Sequence, residues 1–352
     1  MKLLILGPTA HFGRGLLDLA VQSGHDVTVF NRTHVDRSRF PLVEWIDASP
    51  LDSLDPIAGR RFDAAVDLSA CSPELTLRNT LQLADRVGHY TLVSSISVYR
   101  DFAVAPVDEA YPTAAPPPPH ADLTDYATYG PRMAECERRA AEVLGRRLTI
   151  VRAGLLAGPY DLSDRLPRLI RRVMQAEAGQ RILVGASPDQ PVQILDIRDL
   201  ADFILGLITR DRRGLFNAVG DVVPLGSVLA QLSSAVSAGG FGGIGATFAY
   251  LPEDQLARAG LQPMSQLPLW VPERGYPGFF RVANARARAA GLNPRPLIDT
   301  FSAAAAFLAD HARRGQKFHV PPPAKPPLAT LPAAAEAKLL GDPASVATAS
   351  AA

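Results

Sequence analysis

The chain has 352 residues, a formal net charge of +1, 47% hydrophobic content and a mean hydropathy of +0.06. That length buries one large core or a core with an annex, and near-neutrality argues against nucleic acid or an anionic membrane as a partner. Two cysteines, Cys71 and Cys136, lie far apart without metal-ligand spacing, so neither a disulfide framework nor a metal site is expected, a reducing cytoplasm is, and no apolar run approaches the ~20 residues that span a bilayer.

The opening "KLLIL" (2–6) reads as a strand and runs into a glycine loop rather than a signal-peptide core. A helical period follows at 13–24, then the strands "DVTVF" (26–30), "LVEWI" (42–46) and "FDAAVDLS" (62–69). A helix at 74–87 leads to the strand "HYTLVSSI" (89–96), a Pro-rich loop at 109–123, a helix that opens near Tyr129, and a strand with its exit loop at 147–159. Continuous apolar runs alternating with helical periods predict parallel strands buried on both faces, hence a doubly wound α/β sheet of the Rossmann type. It is expected to occupy residues 1–160, with sheet strands continuing to about 220. Residues 161–313 read as a smaller substrate-binding domain interleaved with the last strands. The Pro/Ala-rich segment 314–352 is expected to lack fixed structure, apart from a transient helix near 333–340.

Between the first strand and its helix, "LILGPTAHFGRGLL" sets Gly7, Ala10 and Gly13 at a GxxGxxG spacing. Gly7 permits the tight turn, the small residue at 10 lets a pyrophosphate approach, and Gly13 lets helix and strand pack closely. The free N–H groups of the helix N-terminus then meet the phosphates. Gly7, Thr9, Ala10 and Gly13 are therefore the candidate phosphate cradle. The second strand ends in Asn31 and Arg32 rather than an acid, a pair that suits a 2′-phosphate and favours NADP over NAD. Asp47, after the third strand, is placed to meet adenine or to cap a turn. A second glycine cluster, "GFGGIG" (240–245), follows a helix and precedes a strand, the reverse of the required order, and reads as a connection.

With "TLVSSISVYRDF" (91–102) and "YGPRM" (129–133) on the page, the chain resembles the short-chain dehydrogenase/reductase superfamily in its extended or atypical branch, the NAD-dependent epimerases and dehydratases. The likeness runs to about residue 312 and includes "VRAGLLAGP", "VQILDIRDLA", "LFNAVG", "LPLW" and "NARARAAGLNPRPL". It implies that Ser95 hydrogen-bonds the substrate's reacting oxygen and that Tyr129 is the general acid/base. It also sets Met133 where the family carries the Lys that binds the nicotinamide ribose and lowers the Tyr pKa. A free Tyr, with a pKa of ~10, is almost wholly protonated at neutral pH, and an ammonium favours the phenolate where a thioether does not. Losing a shift of two or three units costs on the order of 10²–10³-fold in rate as a general base. Lys2, Lys317, Lys325 and Lys338 are the only lysines, so none in the body replaces the missing one.

Three readings follow: an NADP-dependent reductase or epimerase with an impaired or rearranged proton relay; an enzyme repurposed for isomerisation, dehydration or cyclisation of a small organic substrate; and a non-catalytic nucleotide- or small-molecule-binding protein. His11, inside the glycine loop, is a further candidate proton carrier or else a packing residue. Cys71 and Cys136 read as inert core thiols, and Arg165, Arg168, Arg171 and Arg172 as a solvated helix face. Of Asp196 and Asp199 the latter is the expected helix cap. Trp270 and "PGFF" (277–280) wall a pocket or pack the small domain. Family members often pair through the helices flanking Tyr129, so a homodimer is a further expectation.

Overall fold

The computed structural model describes residues 1–9, 12–31, 36–48, 53–70, 72–118, 125–161, 164–243, 245–315 and 330–341. In chain order the first elements are β1 (Lys2–Leu6), α1 (Phe12–Gln22), β2 (Asp26–Phe30), β3 (Glu44–Ile46), β4 (Phe62–Asp67), α2 (Pro73–Leu83), β5 (Val87–Ser95), α3 (Tyr129–Leu144), β6 (Leu148–Ala153) and β7 (Leu156–Ala157). They continue as α4 (Leu166–Gln175), β8 (Arg181–Gly185), β9 (Pro191–Gln193), β10 (Leu195–Asp196), α5 (Ile197–Thr209), β11 (Gly214–Ala218) and β12 (Val222–Pro224). The last are α6 (Leu225–Ala238), β13 (Thr247–Tyr250), α7 (Glu253–Arg258), α8 (Ala285–Ala289), α9 (Leu297–Arg313) and α10 (Ala333–Leu340).

Seven strands form one sheet in the order β3-β2-β1-β4-β5-β6-β11, and every adjacent pair is parallel. The apolar runs explain themselves in this setting. Along β1, Leu3 and Ile5 enter the core shared with α1 and α5, whereas Leu4 and Leu6 enter the opposite core with Leu83 of α2 and Leu144 of α3. Successive side chains point to opposite faces, and both faces are covered, so no position from Leu3 to Leu6 is polar. The chain leaves β1 in one direction towards β2 and β3, and returns on its other side as β4. The crevice at this reversal opens at the carboxyl ends of β1 and β4, where open α/β sheets bind ligands. The strand expected at 89–96 begins two residues earlier, because Val87 already pairs with Phe62.

A second core gathers α4, α6 and α9 with β8 and β9, around Leu169, Ile170, Ile182, Leu229 and Phe301. Before α5, Asp196 takes the cap position expected for Asp199: its carboxylate accepts from the Arg198 N–H at 2.8 Å. Asp199 instead accepts from the Arg295 backbone N–H at 2.8 Å and its Nε at 2.6 Å. The deciding difference is backbone geometry, since Asp196 is extended while Asp199 already lies inside the first turn.

The C-terminal segment departs from its expectation over residues 330–341. Eight residues of Ala-rich helix are marginal in isolation, yet α10 is docked. Glu336 is buried; its carboxylate accepts from the Leu183 N–H at 2.7 Å and from Arg172 at 2.6 Å. Arg181 donates to the Leu340 carbonyl at 2.9 Å, and Leu340 joins Leu183, Leu256, Leu267 and Trp270 in an apolar cluster. A β8 edge N–H that would otherwise lack a partner is thus satisfied by a carboxylate brought from 153 residues away. The flanking residues 316–329 and 342–352 lie outside the described ones. Glu336→Ala is expected to lower the free energy of unfolding in urea by about 1.5–3 kcal/mol, the range for a hydrogen bond to a charged group. An unchanged midpoint would show that α10 does not dock.

Candidate active site

The crevice is built where backbones meet without side chains between them. Gly7 has φ +100°, and a Cβ there would stand 2.9 Å from the Ser69 nitrogen; one on Gly13 would stand 2.1 Å from the Pro8 carbonyl oxygen. Only glycine allows β1, its turn and the end of β4 to close this tightly. Thr9 is buried, and its Oγ1 has no hydrogen-bond partner among the described residues, nor has Asn31 Nδ2 at the end of β2. Asp47 sits at the surface with its carboxylate held by Arg37 at 2.9 Å, and the Arg37 guanidinium lies 5.2 Å from the Trp45 ring centre. Ala10, His11, Arg32 and Cys71 lie outside the described residues.

Beneath Gly7 lies a residue the sequence reading passed over. Asp67, at the end of β4, is fully buried and accepts from Ser69 N at 2.8 Å, Ser69 Oγ at 2.6 Å and Tyr90 Oη at 2.6 Å. Burial pushes its carboxyl above the ordinary aspartate value against the pull of these donors. The arrangement fixes the backbone on which Gly7 rests. The available signal was an acid closing the apolar strand "FDAAVD".

Ser95 ends β5 and caps the following turn, accepting from Ser97 N at 3.1 Å. Tyr129 begins α3 beside it. The approach is close because residue 130 is glycine: a Cβ there would lie 2.2 Å from the Ser97 carbonyl oxygen. Two turns further along α3, Glu137 accepts from Ser94 Oγ at 2.6 Å and pairs with Arg152 at 2.7 Å, all three buried. This ion pair ties the helix to β5 and β6, next to Ser95. The Arg152 guanidinium also lies 4.9 Å from the ring centre of Tyr99, whose hydroxyl donates to Asn217 at 2.7 Å.

Burial pushes the Tyr129 phenol above the usual tyrosine value, while hydrogen bonding with Ser95 and the charge of Arg132 pull it down. The Tyr126 ring stacks on it, 5.7 Å between centres and within 5° of parallel. Met133, one turn on, is 2% exposed and packed with Ile96, Val98, Tyr99 and Phe102. Its surroundings are hydrocarbon, and Cys136 is likewise in the core. Arg132 is buried, and its Nε donates to Thr128 Oγ1 at 3.0 Å.

The arginines expected on a solvated face are engaged instead. Arg165 is buried, Arg168 donates to the Ser265 carbonyl at 2.6 Å, Arg171 pairs with Asp164, and Arg172 reaches Glu336. Helical spacing alone did not show that α10 and the 265 region cover α4. Trp270 is buried against the C-terminal cluster, and Phe279 packs edge-on to Phe102 at 4.9 Å. Within "GFGGIG", Gly242 and Gly243 take positive φ and link α6 to β13, away from the crevice.

Residues 3–219 match the NAD dependent epimerase/dehydratase family. The chain belongs to that family. The fold is shared with UDP-glucuronic acid 4-epimerase from Bacillus cereus, solved in complex with NAD, at 14% identity and a TM-score of 0.63, over 88% of this chain and 99% of that one. It is shared with the Bordetella bronchiseptica enzyme WbmH, solved in complex with NAD+, at 16% identity and TM-score 0.60, over 88% and 99%. MoeE5, solved in complex with UDP-glucose and NAD, superposes at 17% identity and TM-score 0.60, over 90% and 99%. No curated protein matches the chain. Among the described residues no helix is long and apolar enough to cross a membrane.

For this epimerase/dehydratase family chain the seat of Tyr129 makes a direct prediction. Gly130→Ala forces α3 off the Ser97 turn and should lower stability by roughly 1–3 kcal/mol, as overpacking does. A urea midpoint equal to that of the parent would contradict the described contact.

Proposed function

We propose that the chain binds a nicotinamide dinucleotide, NADP in preference to NAD, and acts on a small organic substrate held at Ser95 and Tyr129, with redox chemistry weakened or turned to isomerisation, dehydration or cyclisation. One observation carries the reading: Tyr129 and Ser95 stand together beside a glycine-built crevice, while the next residue on the same helix face, Met133, lies in hydrocarbon.

The residues present fit the cofactor. The closures at Gly7 and Gly13 leave room for a pyrophosphate at the start of α1, and the unpartnered Thr9 Oγ1 offers it a hydroxyl. Asn31 Nδ2, without a partner among the described residues, is a donor at the end of β2, where Arg32 follows in the sequence and suits a 2′-phosphate. Solved structures of the same fold that hold NAD support a nicotinamide dinucleotide as the ligand of this crevice. When bound, the cofactor supplies a hydride acceptor or donor. Ser95 orients the substrate oxygen by hydrogen bonding, and Tyr129 holds or moves the proton at that oxygen. Without an ammonium at 133, burial keeps the phenol protonated at neutral pH, so donating a proton is easier than accepting one. That asymmetry is why ordinary oxidation of an alcohol is slow here and a step needing an acid is favoured.

Calorimetric titration should show NADPH binding in the micromolar range or tighter, with NADH weaker; no heat with either nucleotide would sink the cofactor assignment. Met133→Lys should raise oxidation of alcohol substrates about tenfold or more, since one pKa unit on the tyrosine as a general base is worth a factor of ten. Indifference to that change would remove the significance given to position 133. Tyr129→Phe should abolish turnover and leave NADPH affinity nearly intact, whereas a binding protein would show no turnover to lose.

A further inference from the structure

The turn that follows β4 is the part of the crevice that both glycine contacts share. A Cβ on Gly7 would meet the Ser69 nitrogen at 2.9 Å and the Leu68 carbonyl carbon at 3.0 Å, and one on Gly13 would stand 2.9 Å from Leu68 Cδ1. Leu68 N donates to the Leu6 carbonyl at 2.8 Å and ties the turn to β1. Beyond it the chain has left the sheet, and the Ser69 N–H takes its acceptor from a side chain. Asp67 supplies that acceptor. Its Oδ1 accepts from Ser69 N at 2.8 Å and from Ser69 Oγ at 2.6 Å, while its Oδ2 accepts from Tyr90 Oη of β5 at 2.6 Å. Asp67 and Tyr90 are both fully buried. The two oxygens therefore have separate tasks: one shapes the turn, and the other is fixed to the neighbouring strand.

We propose that Asp67 is a positioning residue for dinucleotide binding, holding Leu68 and Ser69 at the height at which the Gly7–Gly13 turn closes on them. This rests on the reading of that turn as the cofactor seat. Asp67 acts on the ligand through Ser69, by keeping the floor of the crevice in one arrangement. A ligand that needs the closed floor binds in proportion to the fraction of molecules that have it, so a floor closed a tenth of the time weakens affinity about tenfold. Hydrogen bonds to a carboxylate are strong enough to set that fraction, being worth about a decade or more in an equilibrium constant. The glycines make the close approach possible, and Asp67 decides what they approach.

The test is NADPH affinity by calorimetry on the folded full-length protein, set beside the urea midpoint and the hydrogen exchange of the 66–70 backbone without nucleotide. Asp67→Ala should weaken NADPH about tenfold and speed that exchange. Asp67→Asn separates the two oxygens. Its amide oxygen still accepts from Ser69, so affinity and exchange should stay near those of the parent, while the lost acceptor for Tyr90 lowers the urea midpoint. Adding Ser69→Ala to Asp67→Ala should weaken NADPH no further, because both changes remove the same bond. If Asp67→Ala fails to fold, Ser69→Ala alone removes the Oγ bond and should weaken NADPH about threefold. Parent affinity in Asp67→Ala or Ser69→Ala overturns the proposal, and so does an Asp67→Asn affinity that falls in step with its urea midpoint. Absence of NADPH binding by the parent overturns the functional reading instead. Exchange at 66–70 then decides the role of Asp67 by itself, and exchange unchanged in Asp67→Ala refutes it.

Discussion

Three contacts in which one backbone meets another with no side chain between them hold the site together. Gly7 lies on Ser69, Gly13 on Pro8, and Gly130 on Ser97. The first brings the turn after β1 down on the end of β4, the second closes that turn on the start of α1, and the third sets α3 on the turn that follows β5. Each would be blocked by a single methyl group, at 2.1–2.9 Å from the nearest atom of the opposing chain. The crevice and the tyrosine therefore depend on the same physical device, used at the carboxyl ends of neighbouring strands in one sheet.

Polar groups buried under these contacts keep them in register. Asp67 gathers Ser69 and Tyr90, and Glu137 gathers Ser94 and Arg152. Removing charge from water is costly, so such groups persist only where their donors are in place; a partial network leaves an unpaired charge in a low dielectric. The result is a stiff floor below the crevice, made from strand ends and the helix that carries Tyr129. Glu336 acts similarly where the C-terminal helix docks, linking α10 to β8 and α4.

Much of this was legible in the residues. Parallel strands follow from apolar runs whose alternate side chains enter different cores, as Leu3 and Leu4 do. The opening turn follows from glycines in the right order between strand and helix, and the same ordering rule set "GFGGIG" aside. What escaped was long-range pairing. Asp196 and Asp199 differ by three positions, and only backbone geometry separates cap from partner of Arg295. The arginines of α4 look solvent-facing until α10 and the 265 region are laid over them. The reason for Gly130, the Ser97 carbonyl, lies 33 residues away in the chain. The setting of Met133 in hydrocarbon likewise belongs to the packing of Ile96, Val98 and Phe102, not to the helix that carries it.

The account comes to a point in the geometry of a bound complex: a dinucleotide seated on the Gly7–Gly13 turn and extending towards the phenol of Tyr129. A crystal structure of the protein grown with NADPH tests this most directly. The pyrophosphate should lie at the start of α1 and the nicotinamide should face Tyr129 and Ser95. A vacant crevice at saturating NADPH, or a nicotinamide turned away from a phenol that points into solvent, would contradict it.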